Sequence, residues 1–512
     1  MKETKRAWVT AFLMAGIFLS AMEATIVATA MPTIIGKLGG FAQFAWVYSI
    51  FLLTQAATVP IYGKLADLYG RKPIFVLGTG LFIIGSALCG FAHSMTQLIV
   101  FRAIQGIGAG SVLPIAMTIV GDLYPGKERA KVQGLLSSVW AVAAVMGPAM
   151  GGLIVQTIGW PWIFELNVPF GIVTIAGVVA FLHEKVEHHR HKIDYAGAIT
   201  MVIGISALLF ALLQAGVKWA WTSPQLIGLS AISIALFAAF MRIETRAQEP
   251  ILPLPVMRQR MVLIANICAI ISGGLTVGAS SFLPTFAQGV LGVKPIIAGA
   301  TIVTLSIGWP IASTLSGRLI WRYGYRKIEV AGMVFSMLGS VLYLAISTSS
   351  SPLYMAFCSF VMGIGLGLAS TTQIVSVQST VHWEQRGIAT GSVMLSRVLG
   401  SALLVALLGT IVNTSLSKAL SGTSLAQQYG VNGSVSITNL LLDPVRRATI
   451  SHAHLEFLTG TLAHSIHLTF WLILVSSAIG AIVALKMPGG VPDMHGRLTS
   501  TPERVYTEAT KI

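Results

Sequence analysis

Glu23 stands in the apolar run "LMAGIFLSAMEATIVATAMP" (13–32), and Arg102 stands in "LIVFRAIQGIGAG" (98–110). A carboxylate in the middle of a membrane helix is costly and by default points to function. Placed there, it can take a proton from the acidic side and release it on the other. Moving that charge across the full membrane potential is worth about 2.3 kcal/mol per 100 mV, enough to bias a cycle that alternates access between two faces. Glu23 lies about 12 residues, or roughly 18 Å, from the outer end of its run, near the bilayer midplane. Arg102 lies about 10 Å below the outer surface by the same rise. A buried Arg needs acceptors, and Gln105, three residues on, shares its face and can relay. The two depths differ, so a direct Glu23–Arg102 ion pair does not follow from the sequence. Glu165 ends the fifth apolar run or opens an outer loop, as a second proton or substrate carboxylate or as a solvated charge. Arg397 is a further intramembrane charge, with a structural role slightly favoured.

The elements that must hold these groups are membrane helices. Of 512 residues, 54% are hydrophobic and 10% charged, where a soluble domain carries about a quarter charged. Fourteen apolar runs between residues 8 and 486 are each long enough to cross a bilayer of about 30 Å. Lipid offers backbone groups no partners, so each run is a helix. The net charge of +15 follows topology: with the N-terminus inside, 25 of the 33 Lys and Arg fall in cytoplasmic segments. Both termini are then cytoplasmic, and the charge does not call for nucleic acid. "KETKR" before the first run can also open a signal peptide, with Ala28-Thr29-Ala30 as the cleavage site, but the run continues past that point. Cys89, Cys268 and Cys358 all fall in apolar runs, against a disulfide framework.

The two halves repeat. "GKLADLYGRK" (63–72) returns as "GRLIWRYGYRK" (317–327). "GIGAG" (106–110) returns as "GIGLG" (363–367), and Arg129 and Gly134 align with Arg386 and Gly391, all three at an offset of 257. A constant offset across several landmarks marks a duplication. The expected architecture is an all-α polytopic membrane protein: a six-helix bundle over 1–190, two inserted linker helices within 191–258, and a second six-helix bundle over 259–487. That second bundle carries an extracellular loop at 416–461, and a cytoplasmic tail follows at 488–512. Parallel repeats with a binding site between them at the midplane are a transporter design.

Around the first charged knot, Gly63 and Gly70 let backbones approach closely. Asp67 lies one turn from Gly63 and can receive the N-terminal end of a neighbouring helix. Arg71 can pair with Asp122, which ends the fourth run on the same side. Contacts of this kind make a latch if the two bundles rock. The bland alternative is a basic loop with a capping Asp. In "GPAMGG" (147–152), Pro148 bends a helix while Gly147, Gly151 and Gly152 admit a neighbour. The expected partner lies in the other half, sealing the centre against leakage. A cavity for varied apolar ligands needs Met, aromatic and amide side chains that repack. Candidates are Trp46, Tyr48, Gln105, Trp140, Phe282, Trp309, Met362, Gln373 and Arg397.

These motifs carry a family resemblance. Gly63-x-x-x-Asp67-x-x-Gly70-Arg71-Lys72 resembles the loop 2–3 signature of the major facilitator superfamily. "LIVFRAIQGIGAG" resembles its helix-4 signature and "GPAMGG" its antiporter signature. "MEATIVATAMP" (22–32), "WPWIFELNVPFG" (160–171) and "QRGIATGSVMLSRVLG" (385–400) are similar to the fourteen-span drug:proton antiporter branch of the EmrB/QacA type. There are departures. Glu23 stands where that branch has Asp, Pro161 where it has Arg, and Trp321 where a second copy of Asp67 would align. The resemblance implies proton-coupled efflux, with Glu23, Arg102 and Glu165 in proton coupling and Arg102 tuning a carboxylate. It also implies lipophilic, cationic drugs as substrates, a multi-pass protein of the cell membrane, and a monomer. No cofactor is expected, only the proton gradient.

Other signals are set aside. "HEKVEHHRH" (183–191) lacks the second His of HExxH, since Glu187 stands there. His452 and His454 are weak metal candidates, and no metal is expected. "GIGAG" sits in an apolar helix with no strand before it, so it reads as helix packing rather than a dinucleotide loop. No Walker A sequence or catalytic constellation is present, which argues against an ATP-driven pump and against an enzyme. The rival readings are export of a metabolite or siderophore by the same machine, and, from another class, a channel or receptor.

Overall fold

A computed structural model describes residues 4–39, 44–184, 194–215, 219–247, 249–420, 441–442, 447–492 and 498–499. The chain is built from long helices. The first group is α1 (Arg6–Leu38), α2 (Phe44–Tyr69), α3 (Arg71–Gly90), α4 (Met95–Leu123) and α5 (Gly126–Thr157), then a short α6 (Trp162–Glu165) leading into α7 (Asn167–Phe181). Next come α8 (Tyr195–Gln214), α9 (Pro224–Glu244) and the single turn α10 (Leu254–Met257). The last group is α11 (Arg260–Gly289), α12 (Pro295–Tyr323), α13 (Tyr325–Leu344), α14 (Pro352–Thr380), α15 (Arg386–Leu420) and α16 (His452–Leu485). A two-residue hairpin, Val491–Pro492 with Leu498–Thr499, follows.

Among the described residues, twelve helices are long and apolar enough to cross a membrane. α2 and α5 are not among the twelve. Their 26 and 32 residues are nevertheless long enough for about 39 and 48 Å of helix. The segment 416–461 is shorter as a loop than expected. α15 continues to Leu420, and α16 begins at His452, taking in "HAHLEFL". Ser451 ends the connection, and helix-forming Leu, Ala and Glu then extend the last span. Residues 421–440 and 443–446 of that loop, 493–497 and 500–512 of the tail, and 185–193 of the His-rich loop lie outside the described residues.

The duplication is visible in local geometry. Gly70 (φ 95°) and Gly324 (φ 84°) each turn the chain between two helices with a single residue. An L side chain at that φ is strained. Gly70→Ala is therefore expected to cost about 1–2 kcal/mol, read as a lowered midpoint in thermal unfolding of the detergent-solubilised protein. Ser94 and Ser351 cap α4 and α14 in the same way, accepting from Gln97 N and Tyr354 N at 3.2 Å each. "GIGAG" is helix packing: a Cβ at Gly106 or Gly110 would meet Phe51 O or Gln55 O of α2, while Gly108 faces Phe82 of α3. "GIGLG" repeats this, with Gly363 and Gly367 against α12 and Gly365 against α13. α8 and α9 pack on each other and α8 lies against α2 and α15, joined by an apolar cluster that includes Leu53, Ile205, Leu209 and Leu395.

Candidate functional site

Glu23 falls near the middle of α1, and its carboxylate is fully buried. Arg102 of α4 donates from Nη1 to Glu23 Oε1, making a direct ion pair. This corrects the depth estimate that left the two apart. α1 is 33 residues long, about 50 Å, so it overruns a bilayer of about 30 Å, and counting from its end misjudges depth. Asn167, the first residue of α7, donates to Glu23 Oε2 at 2.7 Å and to Ser86 Oγ at 2.8 Å. Gln105 accepts from Arg102 Nη1 at 2.8 Å and donates to Ser86 Oγ at 3.1 Å. Ser86 of α3 in turn donates to Phe164 O at 2.8 Å. Arg102 Nε donates to Val47 O at 3.1 Å, and its guanidinium lies 4.1 Å from the Phe51 ring centre. All five side chains are buried. Such a pair is tolerable in an apolar core because amides and hydroxyls supply the remaining hydrogen bonds.

Asn167 and Ser86 were not among the expected site residues. "FELNVPFG" did carry a signal, because Asn167 is polar at the start of an apolar run. Glu165 is placed two residues earlier, at the end of α6, with its carboxylate beside Gly90. It makes no described hydrogen bond with Glu23, so it stands outside this network.

At the end of the bundle that holds the α2–α3 and α4–α5 turns, here the basic end, the latch residues meet. Asp67 and Arg71 form an ion pair at 2.8 Å. Arg71 Nε reaches Asp122 Oδ2 at 3.1 Å, and Asp122 Oδ1 accepts from Arg386 at 3.0 Å. Asp67 accepts from the backbone N–H groups of Gly387 and Ile388 at 2.9 and 2.8 Å, so the N-terminus of α15 rests on its carboxylate. Arg71 also donates to Trp383 O at 2.7 Å, with its guanidinium 4.0 Å from the Trp383 ring centre. A Cβ at Gly63 would meet Gly387 O at 2.7 Å, so α2 and α15 touch backbone to backbone. Gln133 donates to Gln378 at 2.8 Å, and Arg129 to Ser379 at 3.2 Å. Every hydrogen bond described between residues 1–190 and 259–487 lies at this end.

The glycine motif of α5 has a different neighbour from the one expected. A Cβ at Gly147 would meet the Thr25 side chain, so the motif packs on α1 of the same half. The small Thr25, two residues from Glu23, leaves the space that Gly147 fills. Contact with the other half comes lower on α5, where a Cβ at Gly134 would meet the Thr314 backbone of α12 at 2.7 Å. Gly151 is buried and Gly152 has open space beside it, while the side chain of Pro148 lies outside the described residues.

The cavity candidates separate. Gln105 belongs to the Glu23 network. Gln373 and Arg397 belong to a second one, where Gln373 donates to Glu329 Oε1 at 2.9 Å and accepts from Arg397 at 3.2 Å. Trp46 is turned away, stacked on Phe210 of α8 at 5.1 Å. Tyr48 donates to Val27 O at 3.3 Å within its own half. Met362 is fully buried in the core of the second half, with Phe282 and Trp309 packed at that core's edge. Trp140 is partly exposed on α5. The described contacts do not bring these residues together as one group. Their apolar character serves helix packing at least as well, and one-residue positions on a helix cannot tell the two apart. Cys89, Cys268 and Cys358 are free thiols, and among the described residues no cluster of His, Cys, Asp and Glu could hold a metal.

The family model of the Major Facilitator Superfamily matches residues 13–405. Multidrug resistance protein 3 of Bacillus subtilis (strain 168) is 34% identical over 95% of this chain and 96% of its own. The multidrug transporter protein MdtP of the same organism is 36% identical over 78% of this chain and 74% of its own. The solved proton:xylose symporter XylE superposes with a TM-score of 0.59 at 11% identity, over 98% of each chain. That likeness is one of fold alone. The chain belongs to the major facilitator superfamily and is a membrane transporter, not an enzyme, related to multidrug transporters.

Proposed function

We propose that this transporter exports lipophilic, cationic compounds in exchange for protons, by alternating access through fourteen membrane spans. The single observation that supports it best is the buried Glu23–Arg102 pair, completed by Asn167, near the middle of α1. Ionised, Glu23 accepts from both partners. Protonated, it no longer balances the guanidinium, and Arg102 is left with Gln105 and Val47 O. Taking up or losing one proton therefore rearranges α1 against α4. α1 touches α5 through Thr25 and Gly147, and α5 touches α12 of the other half through Gly134 and Thr314. That chain of contacts gives a local protonation a route to the relative position of the halves.

In this reading the basic end faces the cytoplasm, and both termini lie there. With its cross-half bonds made, that end is shut and access is from outside. Opening it requires Asp67 to leave the α15 N-terminus and Arg71 to leave Trp383 O. The test is uptake of a cationic dye into everted membrane vesicles, whose cytoplasmic face is outside. Dye movement is expected to follow an imposed proton gradient and to stop when an ionophore collapses it. Export that continues after collapse would refute proton coupling.

A further inference from the structure

The second half buries a carboxylate that the mechanism above does not use. Glu329 of α13 is fully buried, one turn from the start of its helix at Tyr325 and so roughly 6 Å along it from the basic end. Its Oε1 accepts from Gln373 Nε2 at 2.9 Å, the Cys268 thiol of α11 is a second hydrogen-bonding neighbour of the carboxyl, and Oε2 meets no nitrogen or hydroxyl donor among the described residues. Gln373 of α14 stands at the centre of the group. The same Nε2 donates to Ser272 Oγ of α11 at 3.0 Å, and Oε1 accepts from Arg397 Nη2 of α15 at 3.2 Å. Arg397 Nε is also without a hydrogen-bond partner among the described residues. The titratable and charged groups facing Glu329 are Cys268 from α11 and Arg397 from α15. The described contacts of α16 with α13 are Ser477 against Ser340, Gly480 against Met333 and Phe470 against Tyr343, and none of these α16 residues is charged.

The chemistry matches the first site: an acid, an amide, a hydroxyl and a guanidinium, all within the helical bundle. The positions do not. In the first site the acid is on α1 and the guanidinium on α4. Here they are on α13 and α15, and the duplication does not align the two sets. A structural ion pair would bring Glu329 and Arg397 into contact, as Glu23 and Arg102 are. Instead an amide stands between them, Arg397 keeps an unpartnered Nε, and Glu329 Oε2 meets no nitrogen or hydroxyl donor among the described residues. An acid held this way has a place for a proton at Oε2. It also has a cation one amide away to balance its charge when the proton leaves. The second half lacks the charged latch, with Trp321 where Asp67 would align, and Glu329 is the one buried carboxylate among its described residues.

We propose that Glu329 is a second proton-carrying carboxyl of the transport cycle, exchanging its proton when the basic end opens, so that two protons move for each substrate. This rests on the proton-coupled reading above. Two measurements on the full-length protein test it. Infrared titration in lipid nanodiscs follows the carbonyl band of protonated carboxyl groups as pH is raised. Glu329→Gln is expected to delete one titrating band, and Glu23→Gln a different one. In proteoliposomes with the membrane potential clamped at zero, each coupled proton adds about tenfold to the accumulation of ethidium per pH unit of gradient. The limit is therefore expected to fall about tenfold in Glu329→Gln, and to return in Glu329→Asp, which keeps the acid. If Glu329→Gln leaves either the band pattern or the accumulation limit unchanged, the proposal is overturned. If the unaltered protein accumulates no ethidium under any gradient, the functional reading fails, and the infrared titration still decides whether Glu329 exchanges a proton.

Discussion

Arg102→Ala is expected to lower folding stability by about 3–5 kcal/mol and to abolish transport. Removing one partner of a buried ion pair leaves the other as an uncompensated charge. Glu23 would retain Asn167 alone, and the Val47 carbonyl and Gln105 would each lose a donor. Chemical denaturation in detergent or lipid checks the first effect. A double variant separates stability from function. Adding Glu23→Gln to Arg102→Ala removes the stranded charge, so much of the lost stability should return, while transport should not. If the single and double variants are equally unstable, packing around Arg102 matters more than its charge, including its stack on Phe51.

Gly63→Ala is expected to slow turnover at least about tenfold, which corresponds to about 1.4 kcal/mol on the rate-limiting step. The added methyl group would meet Gly387 O at 2.7 Å, and the partner atoms are backbone, which cannot swing away. α2 and α15 would have to separate, and Asp67 would lose its short bonds to Gly387 and Ile388. The variant should therefore favour the state in which the basic end is open. The three native thiols are buried, so a single reporter cysteine at the basic end, in a cysteine-free background, reads this directly. Faster labelling in Gly63→Ala is expected, with folding preserved. Unchanged labelling and turnover would mean that this contact is not part of a moving latch.

How much of this could be read from the residues differs from group to group. Glu23 and Arg102 were readable because a charge in an apolar run is rare and expensive. Their pairing was not, since depth counted along one helix assumes that its end marks the membrane surface, and α1 overruns it. Asn167 and Ser86 are neutral, and Ser and Asn are common at helix starts and in packed membrane helices. Only three-dimensional convergence on Glu23 distinguishes them. Glu329 was hidden by its neighbours: three residues after Arg326 and two after Lys327, it reads as one more charge of the basic turn, until Gly324 starts the helix and carries it inward. The Gly63 and Gly387 contact was half visible, as a glycine at a helix end, but its partner lies over 300 residues away in the chain. The duplication explains why the folds of the halves were readable in advance. The same single-residue turns and serine caps recur at nearly the same spacing, 254 residues from Gly70 to Gly324 and 257 from Ser94 to Ser351. Polar networks do not follow that spacing, because each half has placed its acid on a different helix.

Proton carriage by Glu23 is tested most directly by recording proton flux and substrate exchange side by side in proteoliposomes. In the unaltered protein, dilution of a loaded dye should drive protons the opposite way, seen with a trapped pH indicator. Glu23→Gln should abolish that counterflow while still exchanging labelled for unlabelled dye, since the neutral side chain leaves the substrate path intact. Proton counterflow that persists at the original rate in Glu23→Gln would contradict the central claim outright.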